Sequence, residues 1–328
     1  MNVLITGGAG FIAYHFAKYL LDKAKKIDLV DNLQRGVLDI EIQKLIQNKN
    51  VQFYERNLLD KNALSDFDTD YTHVFHFAAI IGVKHVLERP YDVLVNNQVL
   101  LHNIIEFSRK QSKIQRLVFT STSEIYAGSL LYKHLKIPTP ESAMLAVSPL
   151  DQARTSYMLS KIYGEAMCLQ SKVPTTIIRP HNFYGPRMGL SHVIPEKFNE
   201  IYSAKEEEEI LVQSPDHSRS FCYIDDAVEI IYRLCLSKES INQAYNVGNE
   251  EEEVKILDLV KKMIKISKKN LKTKQGETHS GSPSRRCPDM TKANKIFYKE
   301  QKPLEYGLEK TYQWYCSKVF ETNGETAI

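Results

Sequence analysis

Short apolar runs alternate with helical patterns along the first half of the chain. Six runs have the length and the branched or aromatic content of buried strands: Val3–Thr6, Ile27–Val30, Val51–Tyr54, Val74–Phe77, Leu117–Ser121 and Thr176–Arg179. Three longer stretches have helical periodicity: Phe11–Lys23, Val93–Lys110 and Thr155–Ser171. Strands that alternate with helices predict an α/β fold built on a doubly wound parallel sheet.

The pattern changes after Pro180, where glycine, proline and mixed segments replace the alternation. We therefore predict a first domain over residues 1–180, with a returning segment at about 219–248. A smaller, mostly C-terminal α/β domain would cover residues 181–218 and 249–316. The polar stretch Ser267–Cys287 predicts a long loop, and residues 317–328 predict a frayed tail.

Charge and cysteine content limit the possible partners. The formal net charge is +3, and the basic residues are spread along the chain, which disfavours nucleic acid but suits a small anionic ligand. No apolar stretch approaches the ~20 residues of a membrane span, and no leader pattern precedes the first strand. Five cysteines without C-x-x-C spacing favour reduced thiols in the cytoplasm, with neither disulfides nor a metal site.

A glycine-rich turn joins the first strand to the first helix. Gly8, Gly10 and Ala13 match the G-x-G-x-x-G/A spacing with which a turn and a helix N-terminus hold a dinucleotide pyrophosphate. Asp31 ends the next strand, where its carboxylate would accept the hydroxyls of the adenosine ribose. The same carboxylate would repel the 2′-phosphate of NADP, so NAD(H) is the predicted cofactor, although Arg35 nearby could pair with a phosphate.

Tyr157 and Lys161 are the candidate catalytic pair. They share one helical face in the pattern Y-x-x-x-K. The ammonium, together with the positive nicotinamide ring, is expected to lower the phenol's pKa so that Tyr157 acts as a general base toward a sugar hydroxyl. Thr122 follows a strand end and could bond both that hydroxyl and the Tyr157 oxygen. Ser123 comes next, and Glu124 lies either beside the reacting carbon or in solvent.

Taken together, these features resemble the extended short-chain dehydrogenases that modify nucleotide-activated sugars. The resemblance covers nearly the whole chain and rests on T-G-G-A-G-F-I at 6–12, D-N at 31–32, N-L-L-D at 57–60, H-F-A-A at 76–79, T-S-E at 122–124, R-P-H-N-F-Y-G-P-R at 179–187, R-S-F-C-Y-I-D-D at 219–226, Y-N-V-G-N at 245–249 and R-C-P-D at 286–289. It implies a Rossmann domain that binds NAD, followed by a substrate-binding domain. Ala13 in place of a third glycine, and Tyr126-Ala127-Gly128 in place of Y-G, depart from the family pattern.

The resemblance also implies roles for individual residues. Besides Tyr157 and Lys161, the cofactor would contact Gly7, Gly10, Phe11, Ile12, Asp31, Asn32, Leu59, Asp60, Ala78, Ala79 and Asn97. A nucleotide-diphosphate sugar would contact Asn182, Arg187, Arg219 and Arg286, although surface ion pairs would explain the last two arginines as well. Family members usually form homodimers through a four-helix bundle, here from Val93–Lys110 and Thr155–Ser171. An apolar stripe that faces the core would look the same.

Family members share oxidation at C4 of the sugar and differ in the later steps of the reaction. Dehydratases carry Asp-Glu after the threonine, and Ser123 is a far weaker acid, which disfavours 4,6-dehydration. The T-S-E segment is shared with decarboxylases of UDP-glucuronate, so decarboxylation stays open. Epimerases often carry a smaller residue in place of Glu124, which is a point against epimerisation.

We predict NAD-dependent C4 oxidation of a nucleotide-activated hexose or heptose, by a 4-dehydrogenase or a 4-epimerase. The segments around Tyr157 and Arg187 resemble bacterial members tied to capsule and surface-polysaccharide sugars, including heptoses. A rival from another class is a binding protein that senses NAD without catalysis. Such proteins generally lose the tyrosine or the lysine, and this chain keeps both.

Overall fold

The computed structural model describes residues 1–278 and 284–321. Its strands are β1 Asn2–Thr6, β2 Lys26–Asp31, β3 Val51–Glu55, β4 His73–His76, β5 Arg116–Thr120, β6 Thr175–Pro180, β7 Phe183–Tyr184, β8 Glu209–Val212, β9 Ser218–Ser220, β10 Cys222–Tyr223, β11 Gln243–Val247, β12 Glu253–Lys255, β13 Lys272–Gln275 and β14 Arg285–Arg286. Its helices are α1 Phe11–Leu20, α2 Ile40–Leu45, α3 Val83–Glu88, α4 Pro90–Arg109, α5 Ala127–Leu131, α6 Ala153–Gln170, α7 Val193–Ser203, α8 Ile224–Leu236, α9 Ile256–Ser267, α10 Thr291–Asn294 and α11 Leu304–Tyr315. A 3₁₀ helix spans Ser123–Tyr126, another spans Lys238–Ser240, and a π-helical turn spans Cys316–Phe320.

Seven parallel strands form the main sheet in the order β3-β2-β1-β4-β5-β6-β11. Thr6 at the end of β1 pairs in register with Val30 on one side and His76 on the other. The strand order reverses between β1 and β4, so the carboxyl ends of these two strands flank a crevice of the kind that binds dinucleotides. The predicted doubly wound sheet is confirmed, with each of the six predicted strands placed within one residue of its observed bounds.

Alternate residues of the strands pack into apolar layers on both faces of the sheet. Val3 and Ile5 belong to the cluster that contains α1 and α8, where the Phe16 and Phe75 rings lie 4.4 Å apart between centroids. Leu4 belongs to the opposite cluster, which contains residues of α4 and α6. Strands covered on both faces are continuous apolar runs, which is why the sequence pattern located them.

The chain after β6 forms a smaller α/β region beside the carboxyl end of the sheet. Three short sheets, β12-β9-β14, β8-β13 and β7-β10, lie with α7, α9 and α11. Buried Met263 and Leu308 belong to the same apolar cluster as Phe16, so the two regions share a core. The residue bounds of the two domains stay a prediction. In the described part of the chain, no helix combines the length and apolar character needed to cross a bilayer.

Two expectations about the C-terminal third are wrong. The segment Ser267–Cys287 is not one long loop, because β13 pairs with β8 and β14 pairs with β9; its residues 279–283 lie outside the described ones. Part of the expected frayed tail is helical, and the Phe320 ring stacks on Tyr202 with centroids 4.9 Å apart. Residues 322–328 of that tail also lie outside the described chain.

Gly128 in α5 contacts the backbone of Ala146, which lies in the loop between α5 and α6. A Cβ at Gly128 would overlap the carbonyl oxygen of Ala146, so Gly128→Ala is expected to lower the free energy of unfolding by about 1–3 kcal/mol. Gly189→Ala is the matched control, because a Cβ there meets no atom within 4 Å; it should change stability by less than about 0.5 kcal/mol. Urea unfolding curves measure both variants, and equal midpoints would contradict the tight contact.

Candidate active site

The turn between β1 and α1 needs glycine because it touches the end of β4. Gly7 has a φ of +70°, and a Cβ there would lie 2.8 Å from the Ala78 backbone nitrogen. Gly10 precedes α1, and a Cβ there would lie 3.0 Å from the carbonyl oxygen of Gly7. No side chain caps the N-terminus of α1, so its first N–H groups suit a pyrophosphate. The turn therefore fits a dinucleotide.

Asp31 at the end of β2 is fixed beside this turn. Its Oδ2 accepts from the Ala9 backbone N–H at 3.1 Å, and its Oδ1 accepts from Leu33 at 2.8 Å. A carboxylate held by two backbone donors retains lone pairs for ribose hydroxyls. The next residue, Asn32, accepts from the Gln34 N–H at 3.1 Å and closes the following turn.

Other predicted cofactor residues lie around the same crevice. Half-buried Leu59 and Ala78 pack against the apolar cluster that contains Leu4. Exposed Asp60 accepts from the Asn62 N–H. Phe11 and Ile12, which begin α1, are half-buried, as is Ala79 after β4. These positions agree with an adenosine site, and their contacts with the cofactor stay a prediction.

Asn97 requires a correction, because its amide is used within the protein. Its Oδ1 accepts from the Ile80 N–H at 2.8 Å, and its Nδ2 donates to the Ile80 carbonyl at 3.1 Å and to Ser160 at 3.3 Å. The side chain is buried between α4, α6 and the segment after β4. Asn97 therefore positions the backbone under the crevice; its amide hydrogens are not available to the cofactor, and any other contact of Asn97 with the cofactor stays a prediction.

Arg187 is a second correction. The prediction that it contacts the substrate is wrong, because its side chain is 1% exposed and bonded beneath the glycine turn. Nε donates to Asp39 at 2.7 Å, while the two terminal nitrogens donate to the carbonyls of Gly10, Ala9 and Val37 at 3.2, 3.0 and 3.0 Å. The sequence motif located the arginine without revealing these partners.

Tyr157 and Lys161 both lie on α6, as their spacing predicted, and both side chains are buried. Lys161 Nζ donates to the Thr120 carbonyl at 2.8 Å and lies 5.8 Å from the centroid of the Tyr157 ring. Thr122, two residues after β5, has its hydroxyl near the Tyr157 phenol, where it lowers the pKa of that group. The three side chains predicted to handle the proton are thus brought together.

The expected fall in the pKa of Tyr157 is not produced by Lys161. Burial raises that pKa and the charge of Glu124 raises it further, while the Thr122 hydroxyl and the charge of Arg35 lower it. Burial also lowers the pKa of Lys161 to about 8. Desolvation disfavours both charged forms, so it outweighs the neighbour effect that the sequence pattern suggested.

Arg35 extends from the loop after β2 to the segment after β4, where it lies near Gly82. Its guanidinium carbon lies 3.8 Å from the position that a Cβ would take at Gly82. Its charge acts on Tyr157 and on Asp31. Sequence reasoning considered this arginine only as a phosphate partner, since its reach to Gly82 depends on the fold.

A group of arginines surrounds Glu124. The Glu124 carboxylate accepts from Arg286 Nη1 at 2.7 Å, and this pairing lowers the pKa of Glu124, with smaller contributions from Arg154 and Arg219. Arg219 and Arg286 are register partners on β9 and β14. Burial and the neighbouring Arg286 lower the pKa of Arg219 to about 10. Such adjacent cations suit an anionic ligand.

Ser123 and Asn182 lie on the two sides of this group. Ser123 is buried at the start of the 3₁₀ helix and lines a small cavity with Arg286. Asn182 has a φ of +44° and donates from Nδ2 to the Ser220 carbonyl at 2.8 Å. The remaining amide oxygen of Asn182 is available to a ligand as an acceptor, and its predicted contact with the sugar diphosphate is untested.

Sequence reasoning missed a buried ion pair behind Lys161. Arg179 donates to both oxygens of Glu165, at 2.9 and 2.7 Å, and Ser121 donates to the same carboxylate at 2.6 Å. Glu165 also raises the pKa of Lys161, opposing burial. Its position four residues after Lys161 was the available signal, because such residues share a helical face.

Comparison with known proteins agrees with this geometry. The model of the NAD dependent epimerase/dehydratase family matches residues 3–248. The chain belongs to this family. It is therefore an NAD-dependent enzyme of the nucleotide-sugar epimerase and dehydratase group, and the predicted family, fold and cofactor are confirmed.

Curated relatives of this family member carry out different reactions. UDP-N-acetyl-alpha-D-glucosaminuronate decarboxylase of Bacillus cytotoxicus is 29% identical, with 95% of this chain and 97% of that protein covered. UDP-glucuronate 4-epimerase of Thermodesulfobacterium geofontis is 27% identical, with 95% of each chain covered. The solved structure of Thermotoga maritima UDP-glucose 4-epimerase has a TM-score of 0.81 at 25% identity, covering 97% of this chain and 99% of that one. The family therefore does not by itself decide the reaction.

We expect Arg187→Met to weaken both folding and NAD⁺ binding. Removing one partner of a buried ion pair typically costs about 3–5 kcal/mol. The substitution also leaves the carbonyls of the glycine turn without their arginine donors. Urea unfolding and calorimetric titration with NAD⁺ measure the two effects. Arg56→Met is the control, because the Arg56–Asp66 pair is exposed. An unchanged NAD⁺ affinity in a folded Arg187→Met protein would contradict the supporting role.

Proposed function

We propose that this enzyme oxidises C4 of a nucleotide-diphosphate sugar and that Tyr157 takes the proton from the C4 hydroxyl. The observation that carries this is the grouping of buried Tyr157 and Lys161 with half-buried Thr122 at the carboxyl end of β5. Thr122 would orient the hydroxyl, and the Lys161 ammonium would stabilise the phenolate as it forms. The glycine turn and Asp31 would hold NAD⁺, which when bound would supply a reversible hydride acceptor for C4.

We propose further that the sugar is a uronate, with a carboxylate on C5. Arg286, Arg154 and Arg219 all act on the carboxylate of Glu124, and Glu253, which also acts on Arg219, is paired with Arg285. Four arginines and two carboxylates leave an excess of positive charge beside the catalytic loop. A diphosphate and a sugar carboxylate together would balance that excess. The names of the two curated relatives, the decarboxylase and the 4-epimerase, also refer to uronates.

Decarboxylation is the outcome that these residues favour. In a 4-keto uronate the carboxylate is β to the new carbonyl. The bond from C5 to the carboxylate can therefore break as its electrons move into that carbonyl, releasing carbon dioxide and leaving an enolate. A proton then adds to C5. Arg286 would orient the C5 carboxylate, while Tyr157 and Thr122 face the C4 oxygen that carries the enolate charge.

The sequence-based alternatives, a 4-epimerase or a 4-dehydrogenase acting on a hexose or heptose, come second. Structural likeness to UDP-glucose 4-epimerase supports them. The Glu124–Arg286 ion pair opposes epimerisation, since it joins the catalytic loop to β14 beside the space in which the sugar would have to turn. A role in bacterial capsule or surface-polysaccharide synthesis is compatible with each reaction. A purely NAD-sensing role is disfavoured, because the proton-handling side chains are assembled.

The proposal predicts that the purified enzyme converts UDP-glucuronate to a product that has lost carbon dioxide, without net NADH. A panel of UDP-, GDP- and dTDP-sugars, read by product mass and absorbance at 340 nm, tests it. Tyr157→Phe should lower kcat by about 10²–10⁴ while NAD⁺ still binds. Tyr163→Phe, on the exposed side of the same helix, is the matched control.

Other products would identify the alternatives. An isomer of unchanged mass would replace decarboxylation by epimerisation. Loss of two hydrogens with stoichiometric NADH would indicate a dehydrogenase. If no nucleotide sugar is altered and Tyr157→Phe has no effect, C4 oxidation itself is contradicted.

We also propose a homodimer through the exposed faces of α4 and α6. Tyr91 and Val95 are four residues apart on α4 and are 74% and 37% exposed; Tyr163 on α6 is 59% exposed. Neighbouring exposed apolar side chains are typical of an interface between subunits. Light scattering should give twice the chain mass. Val95→Glu should give a folded monomer, and Leu236→Glu on α8 should stay dimeric; a wild-type monomer contradicts the proposal.

A further inference from the structure

A small cavity adjoins the 3₁₀ helix that carries Ser123 and Glu124. Its polar lining includes Ser123, Tyr126, His181 and Arg286, and its volume is about 10 Å³. That is close to the space that one water-sized group occupies. Two of these residues, Ser123 and Arg286, belong to the candidate active site, so the cavity adjoins the place proposed for the sugar.

The buried Asn246 amide fixes the hydrogen-bond roles around this cavity. Its Nδ2 donates to the carbonyls of Thr139 at 2.8 Å and Asp289 at 3.2 Å. An amide nitrogen only donates, so these two carbonyls settle which way the amide lies. Oδ1 therefore faces Tyr126 and His181, and it can only accept from them.

The Tyr126 hydroxyl has its direction set by the same reasoning. Arg179 Nη1 donates to it at 2.7 Å, so its own hydrogen is directed to Asn246 Oδ1 at 3.0 Å. The second neighbour of Oδ1 is His181 Nε2 at 3.2 Å. Because Oδ1 accepts, Nε2 carries the ring proton.

His181 is consequently a neutral ring with an acceptor at Nδ1. Burial lowers the pKa of His181 to about 3, and the side chain is 1% exposed. Nδ1 is buried and has no hydrogen-bond partner among residues 1–278 and 284–321. A buried acceptor without a donor is unfavourable, so a group that brings a hydrogen to this nitrogen is expected.

We propose that His181 is a specificity-determining residue whose Nδ1 accepts a hydrogen bond from one hydroxyl or amide N–H of the substrate's sugar. This rests on the proposed function and deepens it. His181 and Arg286 both line the cavity, so a sugar that presents a donor beside an acceptor would match their hydrogen-bonding capacity. A group of the same size that lacks a hydrogen leaves Nδ1 unpaired and is rejected.

The test is a binding cycle on the full-length enzyme with its NAD. Calorimetry gives Kd for UDP-glucuronate and for its single deoxyfluoro analogues, in which fluorine keeps the size of a hydroxyl but cannot donate. In the wild type, one analogue should bind about tenfold or more weakly through loss of the contact with His181. In His181→Phe that same analogue should bind within about twofold of UDP-glucuronate, while the other analogues keep their wild-type ratios.

Two further variants keep the test decisive. His181→Asn keeps an acceptor and should retain part of the discrimination, which covers the case in which His181→Phe does not fold. His134→Phe is the control, because His134 is exposed on the loop after α5. Thermal unfolding and NAD content confirm that each variant is intact.

The outcomes separate this inference from the proposed reaction. If His181→Phe weakens all ligands equally, or none, His181 is structural or binds only water, and the inference is overturned. Discrimination without any turnover keeps the inference and removes the proposed reaction. Absence of UDP-glucuronate binding by the wild type removes both the inference and the uronate proposal.

Discussion

The Arg187 guanidinium, buried beneath the glycine turn, joins the two halves of this molecule. It donates to Asp39 and to three backbone carbonyls, two of which lie in the turn after β1. Removing such a charge from water is costly, and only a complete set of partners compensates for it. The residue comes from the chain just after β7, so the region that closes over the sugar side also shapes the cofactor turn.

Burial governs the chemistry of the catalytic side chains in the same way. It raises the pKa of Tyr157 and lowers that of Lys161, so both are biased toward their neutral forms. Opposing contributions come from Glu165 for the lysine and from Thr122 and Arg35 for the tyrosine. Proton transfer at this site therefore depends on the charges that surround the pair, and the Tyr–Lys spacing alone does not provide them.

The same dependence on burial and distant partners limits how much the sequence could predict. Local patterns located the strands of the main sheet and the glycine turn, because these depend on runs of neighbouring residues. β13 was missed since Lys272–Gln275 is polar throughout and pairs at an edge with β8. The destination of Arg187 could not be predicted, because its partner Asp39 is 148 residues away. The predicted fall in the pKa of Tyr157 was wrong for a related reason. The spacing of Tyr157 and Lys161 indicates that the two residues are adjacent, but it does not indicate that they are buried.

We attribute the choice among the family's reactions to contacts between residues that are far apart in the sequence. The groups that remove the proton come from α6 and from the end of β5, next to one another in the sheet. The groups proposed to meet the rest of the sugar come from the 3₁₀ helix after β5, from the segment after β6 and from β14. They are held together by Asn246, which bonds His181, Thr139 and Asp289. A change in any of these segments re-aims donors and acceptors at the sugar while the proton-handling group stays in place. One fold can therefore support several outcomes after the same first step, and we attribute substrate choice in this chain to its tertiary hydrogen bonds.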